Sequence, residues 1–251
     1  MLKPALRWFG ASFSAPRWCL AAAALSFAAT VTLYRYVDAA WLLNVQLSAQ
    51  EVAMMIFRSP VNAGFIGLPL YLFLVCGIPG DLGSGRQALL LCGSRARVYT
   101  LLKTRLALAT GAFVLLMAAV AGAVAMGVFP PSSHWSADYL AWRVMQGQSA
   151  LAFTLPPALA LALQLLCRSA AFWLAGCVCL LCGLIWRQEA LALALALVCG
   201  LPCCLPEPAL FGRFHLAGGL ALFAALLALS ALPLWGVRRH LARADLGEVE
   251  P

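Results

Sequence analysis

The sequence predicts an all-α, polytopic membrane protein, and three observations lead there. Of its 251 residues, 64% are hydrophobic and only 10% are charged, against roughly 45–50% and about 25% in an ordinary soluble domain. Its mean hydropathy is +0.92. The apolar residues gather into runs close to the roughly 20 that a helix needs to cross a hydrocarbon core of about 30 Å. No polar stretch is long enough for a separate soluble domain, so a single membrane domain over 1–251 is expected.

Taken in order, Lys3, Arg7 and Arg17 precede a first run, Trp18–Val37. That order resembles a signal peptide, but the run is long enough to span, and no Ala-x-Ala site with a polar mature domain follows. It is read as a retained span. In the loop beyond, Ser48-Ala-Gln-Glu51 forms a capping box, in which each side chain satisfies an orphan backbone N–H. A short helix on the outer surface is expected there, stopped by Pro60. Val61–Ile78 and Leu106–Phe129 make spans two and three, separated by a loop over 80–105. Ala150–Cys167 and Ala170–Trp186 are shorter and serve as spans four and five; Leu216–Val237 is the sixth.

Charge sets the orientation, because Lys and Arg accumulate in cytoplasmic loops. With the N-terminus inside, the inner face receives Lys3, Arg7, Arg17, Arg86, Arg95, Arg97, Lys103, Arg105, Arg168, Arg238, Arg239 and Arg243. The outer face receives Arg58, Arg143, Arg187 and Arg213, offset by Asp38, Glu51, Asp138, Glu189 and Glu207. Counting Ala190–Leu205 as a further span would place Arg238, Arg239 and Arg243 outside. That run is short and is broken by Gly200 and Pro202. It is read as part of a re-entrant outer hairpin over 188–214, tolerated where protein or water satisfies its backbone. The expected location is the cell membrane, with both termini cytoplasmic.

Several chemistries find no residues to carry them. Gly80–Arg86 is glycine-rich but lacks the Lys-Ser/Thr ending of a phosphate-cradling loop and follows a membrane span, not a buried strand. Ser84 lies between Gly83 and Gly85, outside nucleophile-elbow spacing. His134, His215 and His240 all avoid the span interiors, and no His-Glu-x-x-His helix exists. Ionisable groups inside the spans, which ion coupling requires, are nearly absent. Arg35 near the end of span one is read as snorkelling to the interface beside Asp38. Seven of the ten cysteines (Cys19, Cys76, Cys92, Cys167, Cys177, Cys179 and Cys182) sit in or beside apolar runs and are read as small hydrophobes. For Cys199, Cys203 and Cys204, a disulfide on the outer face stays open.

The informative segment is 81–103. Leu89, Leu90, Leu91, Val98, Tyr99, Leu101 and Leu102 are interleaved with Arg95, Arg97 and Lys103. This pattern predicts a helix–turn–helix along the membrane surface, broken at Gly93-Ser94, with Ser94 capping the second helix. Plain anchoring to anionic lipid explains the same charges.

Asp81, Gly85, the Leu89-Leu90-Leu91 helix, Gly93-Ser94-Arg95 and Lys103 entering span three together resemble the first cytoplasmic loop of type-2 ATP-binding-cassette exporter permeases. Asp81 stands where that family more often has Glu, and Cys92-Gly93-Ser94 where it has Pro-Val/Ile-Ser. The resemblance implies six spans, cytoplasmic termini and a broken hairpin between spans five and six. It also implies a coupling helix that seats in a separate cytoplasmic ATPase. On that footing Leu89, Leu90 and Leu91 would be knobs in the ATPase cleft. Arg95 and Arg97 would meet its acidic rim, and Asp81 would cap the helix that follows. ATP and magnesium would belong to the partner ATPase, with no cofactor or catalytic site on this chain and no nucleic acid bound. A second permease copy or paralogue would complete the transporter. The small residues Gly111, Gly122, Gly176, Gly218 and Gly219 suit tight helix contacts, and the scarcity of polar groups favours an apolar or amphipathic cargo: a peptide, a lipid-linked molecule or a drug. A reading from another class is a non-transporting membrane scaffold or assembly factor whose basic loop holds lipid or a partner.

Overall fold

The computed structural model describes residues 15–80, 94–145, 155–186, 188–204 and 216–243. Their regular structure is helical throughout: α1 (Ala15–Leu43), α2 (Ala49–Arg58), a π-helical turn (Val61–Gly67) continuing into α3 (Leu68–Val75), α4 (Gly77–Gly80), α5 (Arg95–Met126), α6 (Ala137–Met145), α7 (Pro157–Trp186), α8 (Glu189–Cys204) and α9 (Leu216–Arg243). Among the described residues, four helices (α1, α5, α7 and α9) are long and apolar enough to cross a membrane. Two shorter apolar runs, Val61–Val75 and α8, accompany them. The protein is an all-α, multi-pass membrane protein.

The helices assemble around a buried aromatic centre. Tyr71, Phe113 and Phe172 come from α3, α5 and α7, with ring centroids 5.2–5.5 Å apart. The Tyr71 hydroxyl shares a 2.8 Å hydrogen bond with Thr110 Oγ1, so its polar tip is satisfied in an apolar core. Gly176 makes this approach possible: a Cβ there would collide with the Tyr71 hydroxyl and lie 2.8 Å from Leu106 Cδ1. Gly219 is used in the same way against Leu163, whereas Gly111 and Gly218 face open space. Of the small residues expected at helix contacts, Gly176 and Gly219 make the close ones.

Contacts along the last three helices fix their directions. Cys167 meets the Gly219 carbonyl, Trp173 Nε1 donates to Ser230 Oγ at 3.1 Å, and Gly236 backs onto Leu181. Both residue series rise together, so α7 and α9 are parallel. α8 returns antiparallel, with Gly200 against Ala175 and Cys204 level with Arg168.

Here the structure differs from the expected boundaries. Ala150–Cys167 and Ala170–Trp186 are not two spans: Pro157–Trp186 is one helix of 30 residues. Arg168 looked like an inner loop marker, yet its guanidinium donates to the Cys204 carbonyl at 2.7 Å. A cation at a helix C-terminus satisfies an orphan acceptor there, so the charge is accommodated beside the helix and the chain need not turn. Residues 189–204 of the expected hairpin form one continuous helix despite Pro202; its remainder, 205–214, lies outside the described residues. The other long helices overrun their expected ends, α1 reaching Leu43 and α5 starting at Arg95.

The end of the bundle holding α2 is closed by polar links. The Ser48–Glu51 capping box is present, with Ser48 N–H donating to Glu51 Oε2 at 2.7 Å. The same carboxylate accepts from the Ser136 N–H at 2.6 Å and the Ser136 hydroxyl at 3.1 Å. Ala49 N–H donates to the Pro130 carbonyl, and Ser132 N–H to Gln50 Oε1. α2 is therefore not a surface helix. Ala49 and the whole run Glu51–Phe57 are buried, the Glu51 carboxylate among them because its hydrogen bonds satisfy it there. Beside it, Asn62 at the start of the π-helical turn donates to the Ile56 carbonyl and accepts from Thr32 of α1.

Candidate functional site

At the opposite end of the bundle Arg17, the basic start of α5 and the basic last turn of α9 come together. Arg17, in the first turn of α1, holds its guanidinium 5.2 Å from the Phe73 ring centroid, so α1 begins where span two ends. α4 touches both α5 and α7 there. The N-terminus of α5 meets the C-terminal turn of α9, with Arg95 Nη1 donating to the Ala242 carbonyl at 2.6 Å. The described starts and ends that flank 1–14, 81–93 and 244–251 thus share one face.

Ser94 opens α5 as expected. Its backbone is extended (φ −159°, ψ 148°) and its Oγ accepts from the Arg97 N–H at 3.3 Å, satisfying an orphan donor of the first turn. Arg95, Arg97 and Lys103 are exposed, while Val98 and Leu102 are buried in the bundle core. One element is corrected. The second half of the expected surface helix–turn–helix is the first part of α5 itself, with no break between Arg95 and Met126. The apolar positions Val98 and Leu102 pack on protein, and a helix driven by such tertiary burial has no reason to bend onto the membrane surface. Asp81, Gly85, Leu89, Leu90 and Leu91 lie outside the described residues.

Arg95 differs in environment from its neighbours. It ties an otherwise orphaned carbonyl at the end of α9, leaving its remaining N–H donors to point elsewhere. Arg105, nearly three turns further, is buried at 3% exposure inside the bundle.

Sequence reasoning counted Arg239 and Arg243 only as orientation markers and His240 only as a histidine outside the span interiors. Together with Gly236 they line an open hollow of about 540 Å³ on the side of α9. Arg239 lies over the Trp235 ring, 5.1 Å from its centroid. The i, i+4 spacing of Trp235, Arg239 and Arg243 in an apolar helix was the legible signal. The described cysteines, including Cys199, Cys203 and Cys204, are free thiols, and among the described residues no cluster of metal-ligating side chains forms. Chemically, this end offers positive charge, N–H donors and flanking apolar surface: it is equipped to recognise an anionic or acidic surface.

No protein-family description, curated protein or solved structure matches this chain.

Proposed function

We propose that this chain is the membrane-spanning permease subunit of an ATP-binding-cassette exporter, moving an apolar or amphipathic cargo outward with ATP hydrolysed by a separate cytoplasmic ATPase. On this reading the six crossings are α1, residues 61–80, α5, α7, α8 and α9, with two permeases forming the transporter. The revised set moves Arg187 to the cytoplasmic face and Arg168 away from it, so the positive-inside bias is kept.

The observation that carries the reading is the bond from Arg95 to the Ala242 carbonyl. The segment proposed to seat in the ATPase, 80–105, feeds directly into α5, and Arg95 at its start grips the last turn of α9. A displacement of that segment would be delivered to two long helices at once. Energy has few other entrances, because the described spans hold few ionisable groups away from the basic end: Arg35 and Asp38 of α1, Arg105 and Arg168. The alternative, a scaffold or assembly factor, draws on the same bond, since it commits part of a docking cation within the chain.

The test is co-purification with an ATPase encoded beside this chain, comparing wild type, Arg95→Glu and Leu90→Asp. Both substitutions are expected to cut ATPase recovery at least fivefold. Equal recovery in all three would remove the coupling assignment and favour the scaffold.

A further inference from the structure

The geometry points to a binding site for an anionic phospholipid on the last four turns of α9, independent of the exporter reading. Its headgroup would lie over the shallow, open hollow that Gly236, Arg239, His240 and Arg243 form along one face of the helix. Leu229, Leu232, Gly236, Arg239 and Arg243 follow one another at spacings of three, four, three and four, so they form one stripe along the helix. The stripe changes character along its length as a phospholipid does. Leu229 and Leu232 are 52% and 68% exposed and offer acyl-chain contact. Gly236 packs closely on Leu181 of α7, and Arg239 and Arg243 follow, both exposed.

Trp235 marks the depth. It is 60% exposed, and an amphipathic indole on a membrane helix settles at headgroup level. The Arg239 guanidinium above its ring is held where a lipid phosphate lies, with N–H donors suited to bidentate contact. Charge complementarity selects the occupant: Arg239 and Arg243 flank His240 within one turn, and no carboxylate lies between Leu216 and Arg243. A zwitterionic lipid would bring its own cation into this cluster, whereas phosphatidylglycerol or another net-negative lipid would not.

The experiment uses the purified full chain without any ATPase, titrated in detergent with phosphatidylglycerol or phosphatidylcholine, with bound lipid counted by native mass spectrometry. Wild type is expected to prefer phosphatidylglycerol at least tenfold. Arg239→Gln/Arg243→Gln should abolish that preference, while Arg97→Gln/Lys103→Gln, which removes equal charge from the same face, should retain it. Trp235→Leu keeps every charge and should weaken phosphatidylglycerol binding several-fold, giving a second readout if the double variant fails to fold. Equal loss in both double variants would mean diffuse attraction and would overturn the site. So would millimolar inorganic phosphate displacing the lipid completely, since the hollow would then recognise a free anion. Failure here leaves the ATPase co-purification result untouched.

Discussion

Glu51 shows how one ionisable residue can be wholly buried with both carboxylate oxygens engaged. Its carboxylate accepts from the Ser48 N–H, the Ser136 N–H and the Ser136 hydroxyl, so each oxygen is engaged and the group knits α2 to the segment before α6. Removing it strands two backbone donors, each costing about 1–3 kcal/mol when left unpaired. Glu51→Ala is therefore expected to destabilise the protein by about 2–4 kcal/mol, read as a lower Tm of the detergent-purified chain; a Tm within a degree of wild type would refute the latch. The local half of this arrangement was legible, because Ser48 and Glu51 stand at capping-box spacing. The Ser136 half was not, since nothing in the sequence relates positions 85 residues apart. Arg168 teaches the converse lesson. As a lone cation between two apolar runs it marks a loop by charge statistics, yet the Cys204 carbonyl accepts from it beside an unbroken helix. Single charges in apolar surroundings are ambiguous until their acceptor is known.

At the scale of elements, helix identity followed from apolar runs and breakers, while helix ends and depths did not. α5 illustrates this: its cap at Ser94 was readable from residue chemistry, but its continuity through Lys103 depends on Val98 and Leu102 being buried by neighbouring helices. α2 likewise was legible as a helix and misplaced as a surface one. The continuity of α7 has a direct test. Proline in a loop between residues 167 and 170 would be tolerated, whereas in a helix interior it removes an i→i−4 bond and costs about 3 kcal/mol or more. Ser169→Pro is expected to lower the yield of folded protein severely, measured by fluorescence-detected size exclusion. A yield equal to wild type would restore the two-span reading of 150–186.

For the whole molecule, the merged α7 changes which loops share a side. The end of α7 and the start of α8 fall at the same end as Arg17, the start of α5 and the end of α9, whereas the expected boundaries put them opposite. A cysteine introduced as Gln188→Cys, in a chain whose native cysteines are replaced, should be labelled by an impermeant maleimide only from the side that exposes a C-terminal tag. Labelling from the other side would contradict the arrangement of α7, α8 and α9. Composition and run length alone determined that this chain is a helical membrane protein, because burying so many apolar residues without polar compensation leaves no soluble alternative. Local chemistry alone determined the caps at Ser48 and Ser94. Tertiary structure decided where the long helices begin and end, which end of the bundle is latched by Glu51, and that Arg95 ties the start of α5 to the last turn of α9. Those features depend on partners far apart in the chain, and a hydrogen bond or a close helix approach leaves no periodic trace in either partner's own sequence.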